Sequence, residues 1–309
     1  MNTWQLTTED INKKSKNIDI LSTSDIIKII NDEDKTVADI VGGQLQQVGK
    51  AVDVIYDRLK RNGRLFYIGC GTSGRIGILD AAECPPTYGT NPQMVQGIIG
   101  GGIAAITIAS EGVEDDFNRG ASDISAREVT RNDVILGITA SGRAPYVIGA
   151  LECAKEYGAA TIGISNVETP LLRRCVDVSI EAVTGPEVIT GSTRMKAGTA
   201  QKLILNMIST AVMIKLGKVY QNLMVDLQPS NKKLRERKIR IVMTATNTPR
   251  EEAEKYLEAS GENSKVAIVA VLSETDPEAA EDFLKKSGGY VRAAIDMANM
   301  NKGKKMNNI

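Results

Sequence analysis

Five short, nearly continuous apolar runs recur along the chain, at residues 65–68, 94–99, 134–138, 161–164 and 176–180. Each is too short for a core helix. Most also lack the in–out alternation of a half-exposed strand, so they read as strands buried on both faces. Stretches of helical character, such as residues 145–157, separate most of these runs. Strands that alternate with helices predict an α/β fold, a parallel sheet with helices on both faces.

The flanks read differently. The polar segment up to about Leu21 reads as loosely ordered, and Ser22, Thr23, Ser24 and Asp25 offer helix caps after it. Residues 37–61 read as one long amphipathic helix, with Val37, Ile40, Val41, Leu45, Val48, Val52, Ile55 and Leu59 at helical spacing and Gly42-Gly43 weakening its middle. A further long helix is expected from Gly198 to about Lys218. After Asp226 a basic stretch reads as a solvated linker helix, and a small helical domain extends to about Met297. The polar, lysine-rich end of the chain reads as a frayed tail.

Composition narrows the chemistry. The chain has 309 residues and a formal net charge of zero, without the basic surplus that counterion-driven nucleic-acid binding needs. No apolar run reaches the ~18 residues of a membrane span. The first ten residues lack the features of a secretory signal, so a cytoplasmic location is expected. The four cysteines form no C-x-x-C pair and are expected to be reduced core thiols. Histidine is absent, which removes imidazole bases and every zinc site that needs an imidazole. Carboxylates, Lys, Tyr or Cys must then move any protons.

Three loops share one chemical character: Gly69-Cys70-Gly71-Thr72-Ser73-Gly74-Arg75, Thr139-Ala140-Ser141-Gly142-Arg143 and Thr190-Gly191-Ser192-Thr193-Arg194-Met195-Lys196. Each combines glycine, hydroxyls and a cation. Glycines let backbone N–H groups converge on an anion, and helix N-termini add a positive dipole end. In a parallel sheet such loops gather at the carboxyl ends of the strands. The candidate substrate-binding residues are Gly71, Thr72, Ser73, Arg75, Ser141, Gly142, Arg143, Ser192, Thr193, Arg194 and Lys196. Gly69-x-Gly71-x-x-Gly74 also fits a dinucleotide fingerprint. The second strand, however, ends Ile98-Ile99-Gly100-Gly101-Gly102 without the carboxylate that would hold a ribose. No Gly-Lys-[Ser/Thr] follows, so a P-loop is excluded.

Two carboxylates stand out. Glu83 precedes Cys84-Pro85-Pro86, and the proline pair is expected to end any helix just before it, leaving Glu83 at a constrained bend. Glu114 lies in the acidic turn Ser110-Glu111-Gly112-Val113-Glu114-Asp115-Asp116. Ser73 and Glu83 are ten residues apart. On one straight helix that is about 15 Å, too far for one sugar phosphate. Either the helix breaks early or Glu83 serves a neighbouring subunit's site, and the second is the expectation.

Taken together, Ala82-Glu83-Cys84-Pro85-Pro86-Thr87-Tyr88-Gly89, Gly71-Thr72-Ser73-Gly74-Arg75, Glu111-Gly112-Val113-Glu114-Asp115 and Gly191-Ser192-Thr193-Arg194-Met195-Lys196-Ala197-Gly198-Thr199-Ala200-Gln201-Lys202 resemble the N-acetylmuramic acid 6-phosphate etherases. The resemblance implies a sugar-isomerase-type (SIS) domain, expected over residues 51–225, and a small helical domain of ubiquitin-associated type, over 226–300, between an N-terminal helical segment (1–50) and a disordered tail (301–309). It implies a homodimer and no metal or organic cofactor, and the spacing of Ser73 and Glu83 then puts the expected active site near the subunit interface. The implied reaction releases D-lactate from N-acetylmuramic acid 6-phosphate, and the two catalytic glutamates would be Glu83 and Glu114. A non-catalytic sugar-phosphate-binding regulator and an aldose–ketose phosphate isomerase are the alternative readings.

Overall fold

A computed structural model describes residues 7–110, 112–227 and 232–306. Short 3-10 turns at Thr7–Glu9, Lys13–Ser15 and Ile18–Ile20 lead into α1 (Thr23–Asp34), α2 (Thr36–Gly42) and α3 (Leu45–Leu59). The sheet and its crossovers follow: β1 (Leu65–Gly69), α4 (Gly71–Tyr88), β2 (Val95–Ile99), α5 (Phe117–Ser125), β3 (Val134–Ile138), α6 (Pro145–Glu156), β4 (Ala160–Ser165), β5 (Val178–Glu181) and α7 (Lys196–Lys215). By contact, the chain divides into two compact units, Met1–Ala82 with Pro92–Val212, and Glu83–Asn91 with Met213–Ile309.

In the first unit the strand order is β2-β1-β3-β4-β5 and every pairing is parallel. Leu65 pairs with both Val95 and Val134, and Gly69 pairs with both Ile99 and Ile138. The three strands therefore end level, and their loops leave from one edge. On one face Phe66, Ile68 and Ile135 pack with Ile124 of α5 and with Val147 and Leu151 of α6, all fully buried. Burial of such side chains stabilises by about 1.5–3 kcal/mol each. On the other face the Tyr67 hydroxyl donates to Asp80 Oδ2 of α4 at 2.9 Å. Asp80 Oδ1 in turn accepts from Asn206 and Ser209 of α7 at 2.7 and 3.1 Å. One buried carboxylate thus fixes two helices against β1 and leaves no acceptor idle.

Three features differ from the sequence expectation. The helix expected over 37–61 is two helices, parted at Gly43, whose N–H bonds back to Asp39 O at 3.1 Å. The segment before Leu21 is not loosely ordered. Asn12 Nδ2 donates to Glu33 Oε2 at 2.9 Å and Pro186 O at 3.3 Å, and the Ser15 hydroxyl donates to Val188 O at 2.7 Å. Polar residues hold it, which hydrophobic periodicity cannot register. Finally, Pro85 and Pro86 do not end α4. They lie inside it, and the helix closes a turn later where Gly89 N–H reaches Pro85 O at 2.9 Å. Proline removes two N–H donors there, but its fixed φ near −65° is helical, so a last turn can accommodate it.

The second unit contains a hairpin of β6 (Val219–Tyr220) and β7 (Leu223–Met224), then α8 (Lys232–Thr246), α9 (Arg250–Ala259), α10 (Ser264–Leu272), α11 (Pro277–Lys286) and α12 (Val291–Met306). Residues Val266, Ala267, Ile268, Val269 and Ala270 are all buried, so α10 is the central helix of this unit. Asp276 caps α11 by accepting from Ala279 N–H, with Pro277 in the first turn. The last helix continues to Met306, into the segment read as a tail.

Candidate active site

β1 delivers the chain directly into the first turn of α4, and the packing there explains Gly74. A Cβ at this position would lie 2.6 Å from both Gly69 O and Ile99 Cγ1, so only glycine lets the helix start this close to the sheet. At that start a cavity of about 330 Å³ opens at the strand ends. Cys70, Gly71, Thr72, Ser73, Thr139, Ala140, Ser141, Gly191, Thr193 and Glu114 line it, together with Thr8 and Glu9 from the N-terminal segment. Thr139 Oγ1 and Ser141 Oγ are 3.2 Å apart, and the Arg143 N–H donates to Ser141 Oγ at 3.3 Å. This is a polar bowl lined by hydroxyls, a helix N-terminus and the carboxylates Glu9 and Glu114. It suits an anionic head joined to a hydroxylated body.

The three loops thus meet as expected, but not every residue named in them faces the cavity. Gly71, Thr72, Ser73, Ser141 and Thr193 line it. Gly142 is a buried turn residue with φ +64°, and Ser192 and Arg143 are half-buried beside the bowl. Arg143 Nε is buried without a hydrogen-bond partner among the described residues. Arg75 donates through Nε to Ile106 O at 2.8 Å, and Arg194 is exposed. The Lys196 ammonium is outside the lining and donates to Glu33 Oε2 at 2.7 Å, with both side chains buried. The Lys196 and Ala197 N–H groups both donate to the Glu187 carboxylate at 3.0 Å. The N-terminus of α7 therefore already holds an internal anion, while the start of α4 faces the cavity.

Glu114 sits on a short 3-10 turn, Val113–Asp115, at the cavity's rim. Its side chain keeps access to solvent, yet the protein wall behind it desolvates the carboxyl. That desolvation, with the charge of Asp115 second, raises its pKa above the ordinary carboxylate value. Beside it, burial first and the Glu114 charge second push the Cys70 thiol up to about 12. Cys70 therefore stays protonated and is no nucleophile near neutral pH. Glu83 is exposed and is not among the lining residues. The helix that carries it starts at the cavity, and the helical rise puts Glu83 about 15 Å along α4 from Ser73. Glu111, in the same acidic turn as Glu114, lies outside the described residues.

Sequence reasoning missed Thr8, Glu9, Thr139 and Cys70 as lining residues. Thr139 and Cys70 belong to loops already singled out. Thr8 and Glu9 carry no local signal, because they reach the cavity only through the folding-back of the N-terminal segment. Among the described residues no cluster of His, Cys, Asp or Glu could hold a metal ion, and no helix is long and apolar enough to cross a membrane.

Comparison with known proteins follows the same lines. Residues 47–155 match the glucokinase regulatory protein N-terminal SIS domain, and residues 119–211 match the SIS domain. The N-acetylmuramic acid 6-phosphate etherase of Clostridium acetobutylicum is 57% identical over 261 residues, covering 84% of this chain and 86% of that protein. That of Clostridioides difficile is 55% identical over 261 residues, with the same coverage of each chain. That of Caldanaerobacter subterraneus is 51% identical over 296 residues, covering 96% of this chain and 97% of the relative.

Proposed function

The chain belongs to the N-acetylmuramic acid 6-phosphate etherase family, and we propose from that premise how its residues carry the reaction. The enzyme is a carbon–oxygen lyase of amino-sugar recycling that cleaves the D-lactyl ether of N-acetylmuramic acid 6-phosphate. The single observation that supports the mechanistic reading is Glu114, a carboxylate with a raised pKa on the rim of a bowl of hydroxyls and helix-terminal N–H groups.

The phosphate sits at the start of α4, against Gly71, Thr72 and Ser73, with Ser141 and Thr193 completing the cradle. Arg143 and Arg194 supply positive charge nearby, while Lys196 holds the third loop in place through Glu33. Opening the sugar ring makes C1 an aldehyde and acidifies the proton on C2. Glu114 removes that proton. The electron pair forms the C2–C3 double bond, the C3–O bond breaks, and the lactyl oxygen takes a proton from Glu83. Water then adds across the double bond, its hydroxyl going to C3 and a proton to C2, which gives N-acetylglucosamine 6-phosphate. Each positioned proton-transfer group is worth about 10²–10⁴-fold in rate.

Glu83 is supplied by the second subunit of a homodimer. The about 15 Å of helix between Ser73 and Glu83 supports this, because one sugar phosphate cannot span it. The test is D-lactate release from N-acetylmuramic acid 6-phosphate beside the unphosphorylated sugar. Release from the phosphorylated compound alone is expected. Equal release from both would remove the phosphate cradle from the mechanism, and no release from either would overturn the reading.

A further inference from the structure

Thr8 is 1% exposed, lines the cavity, and its hydroxyl has no hydrogen-bond partner among the described residues. A buried hydroxyl without a partner is destabilising, a cost that a bound ligand can remove. Next to it Glu9 lines the same cavity and rests against the Gly191 turn. A Cβ on Gly191 would come within 3.1 Å of Glu9 Oε2, and φ there is +75°. The segment bearing both residues is fastened at Asn12 and Ser15 to the carbonyls of Pro186 and Val188, just ahead of that turn.

A carboxylate repels phosphate but accepts hydrogen bonds from hydroxyls. We propose that Thr8 and Glu9 are substrate-binding residues that recognise the hydroxylated carbon chain of the phosphosugar, not its phosphate. The inference rests on the etherase reading and extends it to the uncharged part of the substrate. Glu9 accepts from sugar hydroxyls, and the Thr8 hydroxyl gains from the ligand the partner it lacks in the protein.

The test compares Glu9→Ala, Glu9→Gln and Thr8→Val with wild type. Hydrogen bonds to a charged group are worth about 1.5–3 kcal/mol, so Glu9→Ala should raise KM about ten- to a hundredfold, with a smaller fall in kcat. Glu9→Gln, which keeps one acceptor oxygen, should recover part of the loss. Inhibition by N-acetylglucosamine 6-phosphate should weaken with KM, while inhibition by inorganic phosphate should not change. An unchanged KM in Glu9→Ala and Thr8→Val would overturn the proposal. So would equal weakening of both inhibitors, since that would place the two residues on the phosphate or on the fold. If wild type released no lactate, the etherase reading would fall instead. Direct binding of the same two ligands would then still separate sugar recognition from phosphate recognition.

Discussion

Lys196 Nζ and Glu33 Oε2 meet at 2.7 Å with their side chains 4% and 7% exposed. Lys14 reaches the other oxygen of Glu33 from solvent at 2.8 Å, and Asn12 adds a third donor. Removing one member of such a pair leaves the other buried and unmatched, at a cost of about 3–5 kcal/mol. Glu33→Gln should therefore lower the urea midpoint strongly. Replacing both with apolar residues, Glu33→Leu with Lys196→Met, should recover much of the loss.

The same carboxylate sets an acid limit. Burial alone would raise the Glu33 pKa, but hydrogen bonds from Lys14 and Lys196 outweigh it and lower the value from 4.5 to about 2. A depressed carboxylate contributes stability that is complete above its unfolded pKa and is lost as pH falls through the folded one. Thermal stability should fall as pH is lowered from about 4.5 to about 2. In Glu33→Gln that slope should flatten.

For the reaction, Glu114 must be ionised to act as a base. Its raised pKa places the acid limb of kcat/KM above the ordinary glutamate value of about 4.3. Asp115 contributes the second part of that rise, after desolvation. Asp115→Asn should shift the limb to lower pH while keeping the plateau, whereas Glu114→Gln should lower kcat by about 10²–10⁴-fold at every pH. A limb unmoved by Asp115→Asn would mean that another group titrates.

Gly74→Ala tests the cradle without changing a polar side chain. The added methyl meets Gly69 O and Ile99 Cγ1 at 2.6 Å, so the start of α4 must lift from the sheet. Overpacking of this kind costs about 1–3 kcal/mol. Substrate affinity should fall with stability, because the start of α4 is the proposed phosphate cradle.

Mixing Glu83→Gln and Glu114→Gln subunits tests the shared site. In the proposed homodimer, either variant alone lacks one of the two proposed catalytic carboxylates at both sites. A heterodimer regains one complete site if the two glutamates come from different chains, and an equal mixture should reach about a quarter of wild-type activity. No recovery would place both glutamates in one subunit.

The sheet was legible because its signal is local. The run at 134–138 coincides with β3, and the runs for β1, β2, β4 and β5 match to within two residues, since continuous apolar segments of that length have few other uses. The three loops could be read for the same reason, and the convergence of the first two follows from the level ends of β1 and β3. Distant partnerships were not legible. Lys196 looked like a phosphate ligand until Glu33, 163 residues away, claimed its ammonium. The polar start of the chain looked slack because the acceptors of Asn12 and Ser15 lie beyond residue 185. The prolines of α4 were given too much weight as helix breakers in what proved to be a closing turn.

Asn12 and Pro186 are 174 residues apart. A chain made N-terminus first at about 5–20 residues per second must wait roughly 9–35 seconds between the emergence of one and the other. Contacts this distant in sequence form late, after local ones have condensed. During synthesis the sheet and its α4 cradle can therefore exist before the wall bearing Thr8 and Glu9 is in place. Completion of the cavity is therefore a late step of folding, and a nascent chain halted before Pro186 lacks both the anchor of that wall and Thr193.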